Sequence, residues 1–145
     1  MKKVAVIYWS QTGNTQQMAQ LIAQGALEGG AQVECMPVSS LTPEQALEYD
    51  GLALGCPAMG AEVLEEAEFD PFFTQLESHL QGRTLAIFGS YGWGDGEWMR
   101  DWCQRMEEAG AHLICEEGVI ANETPDDAAL EECRAAGKEL ITALV

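Results

Sequence analysis

The sequence has little positive charge: 7 Lys and Arg residues stand against 24 Asp and Glu residues, which gives a formal net charge of −17. Binding to a nucleic acid depends on Lys and Arg side chains that displace counterions from phosphates, and anionic membrane surfaces also attract basic residues. We therefore expect no nucleic acid and no membrane among the partners. A protein with a basic face is the natural alternative, although a strongly charged surface also improves solubility by itself.

Long apolar runs and paired cysteines are missing as well. No stretch approaches the length of a membrane-spanning helix, and the first apolar run, 4–9, is too short for a secretory signal. The five cysteines are far apart and form no C-x-x-C pair for a metal or dithiol site, so we expect most of them to be buried thiols in a reducing compartment. These absences predict a cytoplasmic protein.

Two common phosphate-binding motifs are absent. The first predicted strand is not followed by G-x-G-x-x-G, and the chain contains no G-x-x-x-x-G-K-[ST]. This excludes the dinucleotide fingerprint and the NTP-hydrolysing loop. Histidine is also scarce, and His79 and His112 stand far apart without a nearby carboxylate pattern. We expect both to be exposed or at helix ends rather than catalytic.

What the sequence does contain is a regular alternation of strands and helices. Apolar and β-branched runs predict strands over 3–9, 32–38, 51–55, 84–89 and an interrupted 113–121. Helical spacing predicts helices over 16–28, 70–80, 96–109 and 126–144. Thr42, Pro43 and Gln45 predict a short helix with a capping box. Five strands alternating with helices predict one α/β domain, 1–145, built on a doubly wound parallel sheet.

In such sheets ligands bind outside the carboxyl ends of the strands, at the point where strand order reverses. The loop after the first strand, Ser10–Thr15, collects hydroxyls, an amide and a glycine at the start of a helix. These neutral donors and the helix dipole suit a phosphate dianion without a lysine. Helix capping alone would need one such residue. The loop therefore predicts a monophosphate ligand.

The loops after the third and fourth strands, 55–62 and 89–97, are rich in glycine. The second of them places Trp93 between two glycines, where little neighbouring side chain is available to cover its ring. A flat ligand is the interpretation we favour, and a Trp folded back onto the surface is the alternative. For Met59 alone, gap-filling in the core is the commoner role of methionine.

Together with the Asn122–Glu123 turn after the last strand, these loops resemble a short-chain flavodoxin of the anaerobic bacterial type, over essentially the whole chain. The resemblance implies the strand order 2-1-3-4-5 and one non-covalently bound FMN. It assigns the FMN phosphate to Ser10, Gln11, Thr12, Gly13, Asn14 and Thr15. It assigns the two faces of the ring to Met59 and Trp93 and the N3–H of the ring to Glu62. Further expected contacts are Ala58, Gly60, Ala61, Ser90, Tyr91, Gly92, Gly94 and Asn122.

The function that this resemblance implies is low-potential electron transfer between redox enzymes, with no substrate turned over. The protein is expected to be a monomer that meets basic-faced reductases and oxidoreductases. Because Glu65, Glu66, Glu68 and Asp95 flank the cofactor loops, they are candidate docking residues, and a solvated acidic face is an equal alternative. In the family, the carbonyl at the position of Gly60 turns towards the reduced flavin. Relatives often carry glycine, asparagine or aspartate at the next position, so Ala61 is a departure, and Pro57 is another where relatives often carry a ribityl-bonding serine.

Three other functions remain alternatives. An FMN-dependent NAD(P)H reductase on the same fold would need room for nicotinamide against the ring, whereas Met59 and Trp93 are expected to cover both faces. A phospho-acceptor signalling domain would need acidic residues at the end of the first strand, where this chain has Trp9 and Ser10. A binding module that has lost its flavin is the third, and the complete loops at Ser10–Thr15 and around Trp93 argue against it.

Overall fold

The computed structural model describes residues 1–144, in which one parallel sheet lies between two layers of helices. The strands are β1 (Lys3–Tyr8), β2 (Gln32–Pro37), β3 (Gly51–Gly55), β4 (Thr84–Tyr91), β5 (His112–Leu113) and β6 (Val119–Asn122). The helices are α1 (Asn14–Glu28), α2 (Pro43–Ala46), α3 (Phe69–Glu77), α4 (Glu97–Glu108) and α5 (Asp127–Ala143), and a 3-10 turn covers Val38–Ser40.

The strand order is β2-β1-β3-β4-β5, with every pair parallel, which confirms the predicted doubly wound fold. The predicted fifth strand is interrupted as expected: Leu113 of β5 pairs with Leu85, and Val119 of β6 pairs with Phe88 further along the same edge of β4. The chain leaves β1 on one side for β2 and returns on the other side for β3. The order therefore reverses at β1, and the crevice lies at the carboxyl ends of β1 and β3.

Alternate residues of the central strands point to opposite faces and form two separate cores. On one face, residues such as Ile7 and Leu54 pack against α3 and α4, which contribute Phe73, Trp98 and Trp102. On the other face, residues such as Val6 pack against α1 and α5. Trp98 and Trp102, four positions apart on α4, are both buried in this core.

Helices α1 and α5 approach each other closely because each carries a glycine at the contact. A Cβ added to Gly25 would collide with the carbonyl oxygen of Arg134, and one added to Gly137 would collide with the carbonyl oxygen of Ile22. Only residues without a side chain allow the two backbones to lie at this distance. The contact fixes α1, and with it the loop at its N-terminus.

Most helix boundaries lie within a few residues of the predicted ones. The capping box of α2 is confirmed, since Thr42 Oγ1 accepts from the Gln45 N–H at 3.1 Å and Gln45 Oε1 accepts from the Thr42 N–H at 2.9 Å. Helix α1 begins earlier than predicted, at Asn14, directly after Gly13 with its left-handed φ of 93°. No helix within residues 1–144 is long and apolar enough to cross a membrane.

The prediction that most cysteines are buried is wrong. All five are free thiols, but only Cys56 and Cys133 are buried, whereas Cys103 and Cys115 are half-buried. Cys35 is exposed because it lies on β2, which forms an edge of the sheet and has no fully buried residue. Sequence hydrophobicity does not distinguish an edge strand from a central one.

Candidate functional site

In the first loop of the site, between β1 and α1, backbone N–H groups donate hydrogen bonds to the hydroxyl oxygens of serine and threonine side chains. Ser10 Oγ accepts from the N–H groups of Gly13 at 3.1 Å and Gln16 at 3.4 Å, and Thr12 Oγ1 accepts from the Asn14 N–H at 3.4 Å. The N-cap of α1 is Gly13, which has no side chain to cap it, and the first turn carries no acidic residue. The helix start thus combines N–H donors and a positive dipole end without a charged partner, which suits an anion.

A cavity of about 380 Å³ opens at this end of α1. Its lining is polar and uncharged: Thr12, Gly13, Asn14, Gln16, Gln17, Gln20 and Thr124. A Cβ added to Gly13 would meet no atom within 4 Å, so the space in front of the loop is open. The residues therefore fit a phosphate group. Sequence reasoning missed Thr124, although its place after the last strand puts it at the same edge of the sheet.

Thr15 connects this loop to the end of β4. It is buried, and its Oγ1 lies 3.0 Å from Ser90 Oγ, while the Ser90 N–H donates to Thr15 Oγ1 at 3.4 Å. Both residues are among the predicted cofactor contacts. In this structure their hydroxyls bind each other, so the pair holds the start of α1 at a fixed distance from the end of β4.

The second loop of the site, after β3, is a tight turn of Gly60, Ala61 and Glu62. The N–H and C=O groups of Met59 and Val63 close it with two hydrogen bonds, of 2.9 and 3.0 Å. Gly60 and Glu62 have left-handed φ values of 50° and 55°, whereas Ala61 does not. Glycine adopts this conformation freely, but for Glu62 it costs about 1 kcal/mol, so contacts elsewhere must hold Glu62 in place.

Those contacts come from the loop after β4 and from the start of α4. Glu62 is 8% exposed, and its Oε1 accepts from the Glu97 N–H at 3.1 Å. Its carboxylate also lies against Gly94, where an added Cβ would collide with it. Gly96 at the N-cap of α4 offers no side chain of its own, so Glu62 supplies the negative charge that the helix N-terminus favours.

The loop after β4 exposes its aromatic residue while its backbone is held. Trp93 is 67% exposed, and the position of Gly92 has open space where a Cβ would lie. Asn122 Nδ2 donates to the carbonyls of Tyr91 and Gly92, each at 3.4 Å, and the Glu123 N–H donates to the Tyr91 carbonyl at 2.6 Å. An uncovered indole on an anchored loop fits a planar ligand.

Two further contacts hold the end of β4 and the loop after it in place. The Ala58 N–H donates to the Ser90 carbonyl at 3.0 Å, which joins the loops after β3 and β4. Arg100 of α4 donates to the backbone carbonyl of Asp95 at 3.0 Å and to its carboxylate at 2.9 Å. Sequence reasoning missed Arg100, whose position one turn into a helix after a glycine-rich loop was its only signal.

The candidate docking residues have different roles from one another. Glu65 is buried, and its carboxylate accepts from the backbone N–H groups of residues 67–69 at the start of α3. Burial raises its pKa, but the three hydrogen bonds outweigh burial and the net pKa is lowered. The expectation that Glu65 docks a partner is therefore wrong, because its side chain is occupied and inaccessible. Glu68 accepts from Trp9 Nε1 at 3.2 Å, and Glu66 is exposed.

The remaining candidates carry no site of their own. His79 and His112 are exposed, as predicted. Within residues 1–144 there is no group of three or more His, Cys, Asp or Glu residues that could hold a metal ion. The predicted cofactor contacts lie at the ends of β1, β3, β4 and β6 and in the loops that follow them.

Comparison with known proteins gives a consistent result. The family model described as Flavodoxin matches residues 6–137. A flavodoxin of Clostridium beijerinckii is 46% identical over 135 residues, covering 93% of this chain and 96% of that protein. A flavodoxin of Megasphaera elsdenii is 44% identical over 135 residues, with the same coverage. The solution structure of two-electron reduced Megasphaera elsdenii flavodoxin superposes with a TM-score of 0.84 at 42% identity, covering 96% of this chain and 98% of that one.

Proposed function

This chain belongs to the flavodoxin family of FMN-binding electron carriers, and we propose that its FMN lies across the loops after β1, β3 and β4. The observation that carries this assignment is the convergence of an uncharged, donor-rich helix start with an exposed tryptophan on an anchored loop. These two features suit opposite ends of one ligand, a phosphate and a planar ring. The carrier function itself follows from the family.

We assign the phosphate to the loop Ser10–Thr15. Backbone donors at the start of α1 and the hydroxyls of Ser10 and Thr12 are the groups available there, and the lining contains no charged residue. Because no lysine is present, the phosphate would be held by hydrogen bonds and the helix dipole alone. Thr15 contributes by fixing the loop to Ser90.

We assign the ring to the loops that contain Met59 and Trp93. Trp93 offers an uncovered indole face, and the open space at Gly60 and Gly92 leaves the backbone accessible to a ligand. Glu62 stands between these loops with its carboxylate held by the Glu97 N–H, so an acceptor is positioned before any ligand binds. Preorganisation of this kind reduces the free energy lost on binding.

FMN supplies the ability to accept and release electrons singly, and the chain sets how readily it does so. The chain's net charge of −17 opposes added negative charge at the ring. One carboxylate about 10 Å away contributes roughly 0.4 kcal/mol in water, or about 20 mV for one electron, before salt screening. A low potential therefore needs the summed field of several carboxylates, and neutralising several exposed ones near the site should raise the potential of the second electron.

The protein acts, in this proposal, as a monomeric cytoplasmic carrier without a substrate of its own, and it meets basic-faced redox enzymes. The charge supports a basic partner, because complementary potentials steer association. It also disfavours self-association, since two copies repel each other. The alternative, an NAD(P)H reductase on the same fold, would require nicotinamide to reach a ring face that Met59 or Trp93 occupies.

Anaerobic reduction of the purified protein, followed by visible absorption, tests the proposal. A carrier should be yellow, bleach in two resolved one-electron stages, and oxidise no NAD(P)H unless a separate reductase is added. Rapid NAD(P)H oxidation by the protein alone would favour the reductase. Trp93→Ala should weaken FMN binding, whereas Trp102→Phe, a change in the core, should leave the FMN dissociation constant unchanged.

A further inference from the structure

A groove of about 1360 Å³ lies between α4 and the β5–β6 edge of the sheet, outside the FMN site. It exists because the fifth strand is interrupted: β5 ends at Leu113, and the chain leaves the edge of β4 until β6 begins at Val119. Gly118, with φ 73°, turns the chain back against α4, where an added Cβ would lie 2.5 Å from Met99 Sδ. The half-buried side chains of Cys103, Leu113 and Ile120 line its apolar part.

The rim of this groove is negatively charged. Glu107 and Glu108 border it from the end of α4, and Glu116 and Glu117 border it from the segment between β5 and β6. All four are exposed, and none takes part in an ion pair within residues 1–144. The basic side chain in the lining, Arg100, is already engaged with Asp95.

An apolar floor with an unpaired acidic rim is complementary to a helix that has one apolar and one basic face. A second copy of this chain is a poor occupant, because each copy carries a net charge of −17. One end of the groove is formed by Asp95 and Gly96, the last residues of the loop that contains Trp93 before α4 begins. An occupant of the groove would therefore sit beside the loop to which the proposed function assigns the flavin ring.

We propose that this groove docks a basic amphipathic helix of an electron-transfer partner. The apolar face of that helix would pack on Cys103, Leu113 and Ile120, and its Lys or Arg side chains would lie against the four rim carboxylates. The inference rests on the proposed carrier function for the identity of the partner. It goes beyond that function because it separates the surface that holds the partner from the loops that hold the cofactor.

The test uses the FMN-loaded protein and a synthetic helical peptide with leucines on one face and lysines on the other. Backbone NMR shifts should change at residues 103–120, and Glu107→Gln/Glu108→Gln should weaken peptide binding roughly fivefold through loss of rim charge. The control, Glu44→Gln/Glu48→Gln, removes the same charge from exposed residues around α2 and should weaken binding less than about twofold, through the general field alone.

Equal weakening by the two double variants, or shift changes centred outside the groove, would overturn the proposal. So would undiminished binding of a peptide in which serines replace the leucines, because the apolar floor would then have no role. The absorption spectrum of each sample reports FMN separately. A sample that binds no peptide but has a normal FMN spectrum contradicts the groove proposal alone, whereas a sample without bound FMN contradicts the proposed function.

Discussion

The backbone N–H of Glu97 donates to the carboxylate of Glu62 at 3.1 Å, which joins the turn after β3 to the first residue of α4. The bond places a negative charge at the positive end of the helix, and it also supports the left-handed backbone of Glu62. Because the same carboxylate lies on Gly94, the turn that contains Gly60 and the loop that contains Trp93 share one anchor. Disturbing either loop should therefore disturb the other.

Gly94→Ala tests this shared anchor. The new Cβ would collide with the Glu62 carboxylate, in addition to the strain of alanine at φ 88°. We expect FMN binding to weaken by at least roughly tenfold, since both loops of the proposed ring site would shift. Gly30→Ala is the matched control: its φ is 95°, but no atom lies within 4 Å of the added Cβ. It should lower the free energy of unfolding by about 1 kcal/mol and leave the FMN dissociation constant unchanged.

Ala61→Gly tests the turn to which the proposed function assigns the flavin ring. In the family, the peptide at the position of Gly60 flips on reduction and the following residue then needs a positive φ, which costs alanine about 1 kcal/mol more than glycine. Ala61 has no positive φ in this structure, so the cost arises only in the flipped form. The potential of the first electron should rise by about 40 mV in Ala61→Gly. An unchanged or lower potential in a redox titration would contradict this account.

The buried Thr15–Ser90 pair is open to a double-mutant cycle. Thr15→Val leaves the Ser90 hydroxyl buried without its partner, so the free energy of unfolding should fall by about 1–3 kcal/mol. Adding Ser90→Ala removes the orphaned hydroxyl, and the second loss should be smaller by about 1 kcal/mol than in the wild-type background. Urea denaturation measures the wild type, the two single variants and the double variant, and strictly additive losses would show that the two hydroxyls are not coupled.

Glu65 should make stability depend on pH. Its folded pKa lies below the unfolded value because three backbone N–H groups outweigh the effect of burial, so its contribution is present above the unfolded pKa of about 4.3 and is lost as pH falls through the folded pKa. Glu65→Gln should therefore unfold more easily than wild type at pH 7, with a difference that shrinks at lower pH. Glu66→Gln, an exposed neighbour, should show little difference at either pH.

Gly137→Ala distinguishes helix propensity from packing. In an exposed helix this change stabilises by up to about 1 kcal/mol, but here the added methyl would collide with the Ile22 carbonyl of α1. We expect a net loss of about 2 kcal/mol in the free energy of unfolding, as overpacking of a close contact produces. A more stable variant would mean that the two helices separate without cost.

The resemblance to flavodoxins supplied the strand order, whereas the doubly wound α/β class, the two-sided burial of the sheet and the loop Ser10–Thr15 at the start of α1 could be predicted from the residues. They depend on local features: the apolar run of β1, helical spacing in α1, and a glycine and hydroxyls at the start of that helix. Boundaries were less accurate where a single backbone conformation decides them. Gly13 begins α1 two residues earlier than the apolar spacing indicated, because its left-handed φ ends the loop there.

The tertiary structure alone decided which side chains meet. Thr15 and Ser90 are 75 positions apart, and Glu62 and Glu97 are 35 apart, so no local pattern relates them. The same holds for Glu65, which looked like a surface carboxylate and is instead buried at the start of α3. The sequence by itself thus determined the family and the cofactor, because backbone turns and donors are local. Packing between elements decided which of the predicted site residues contact one another and where the groove beside α4 opens.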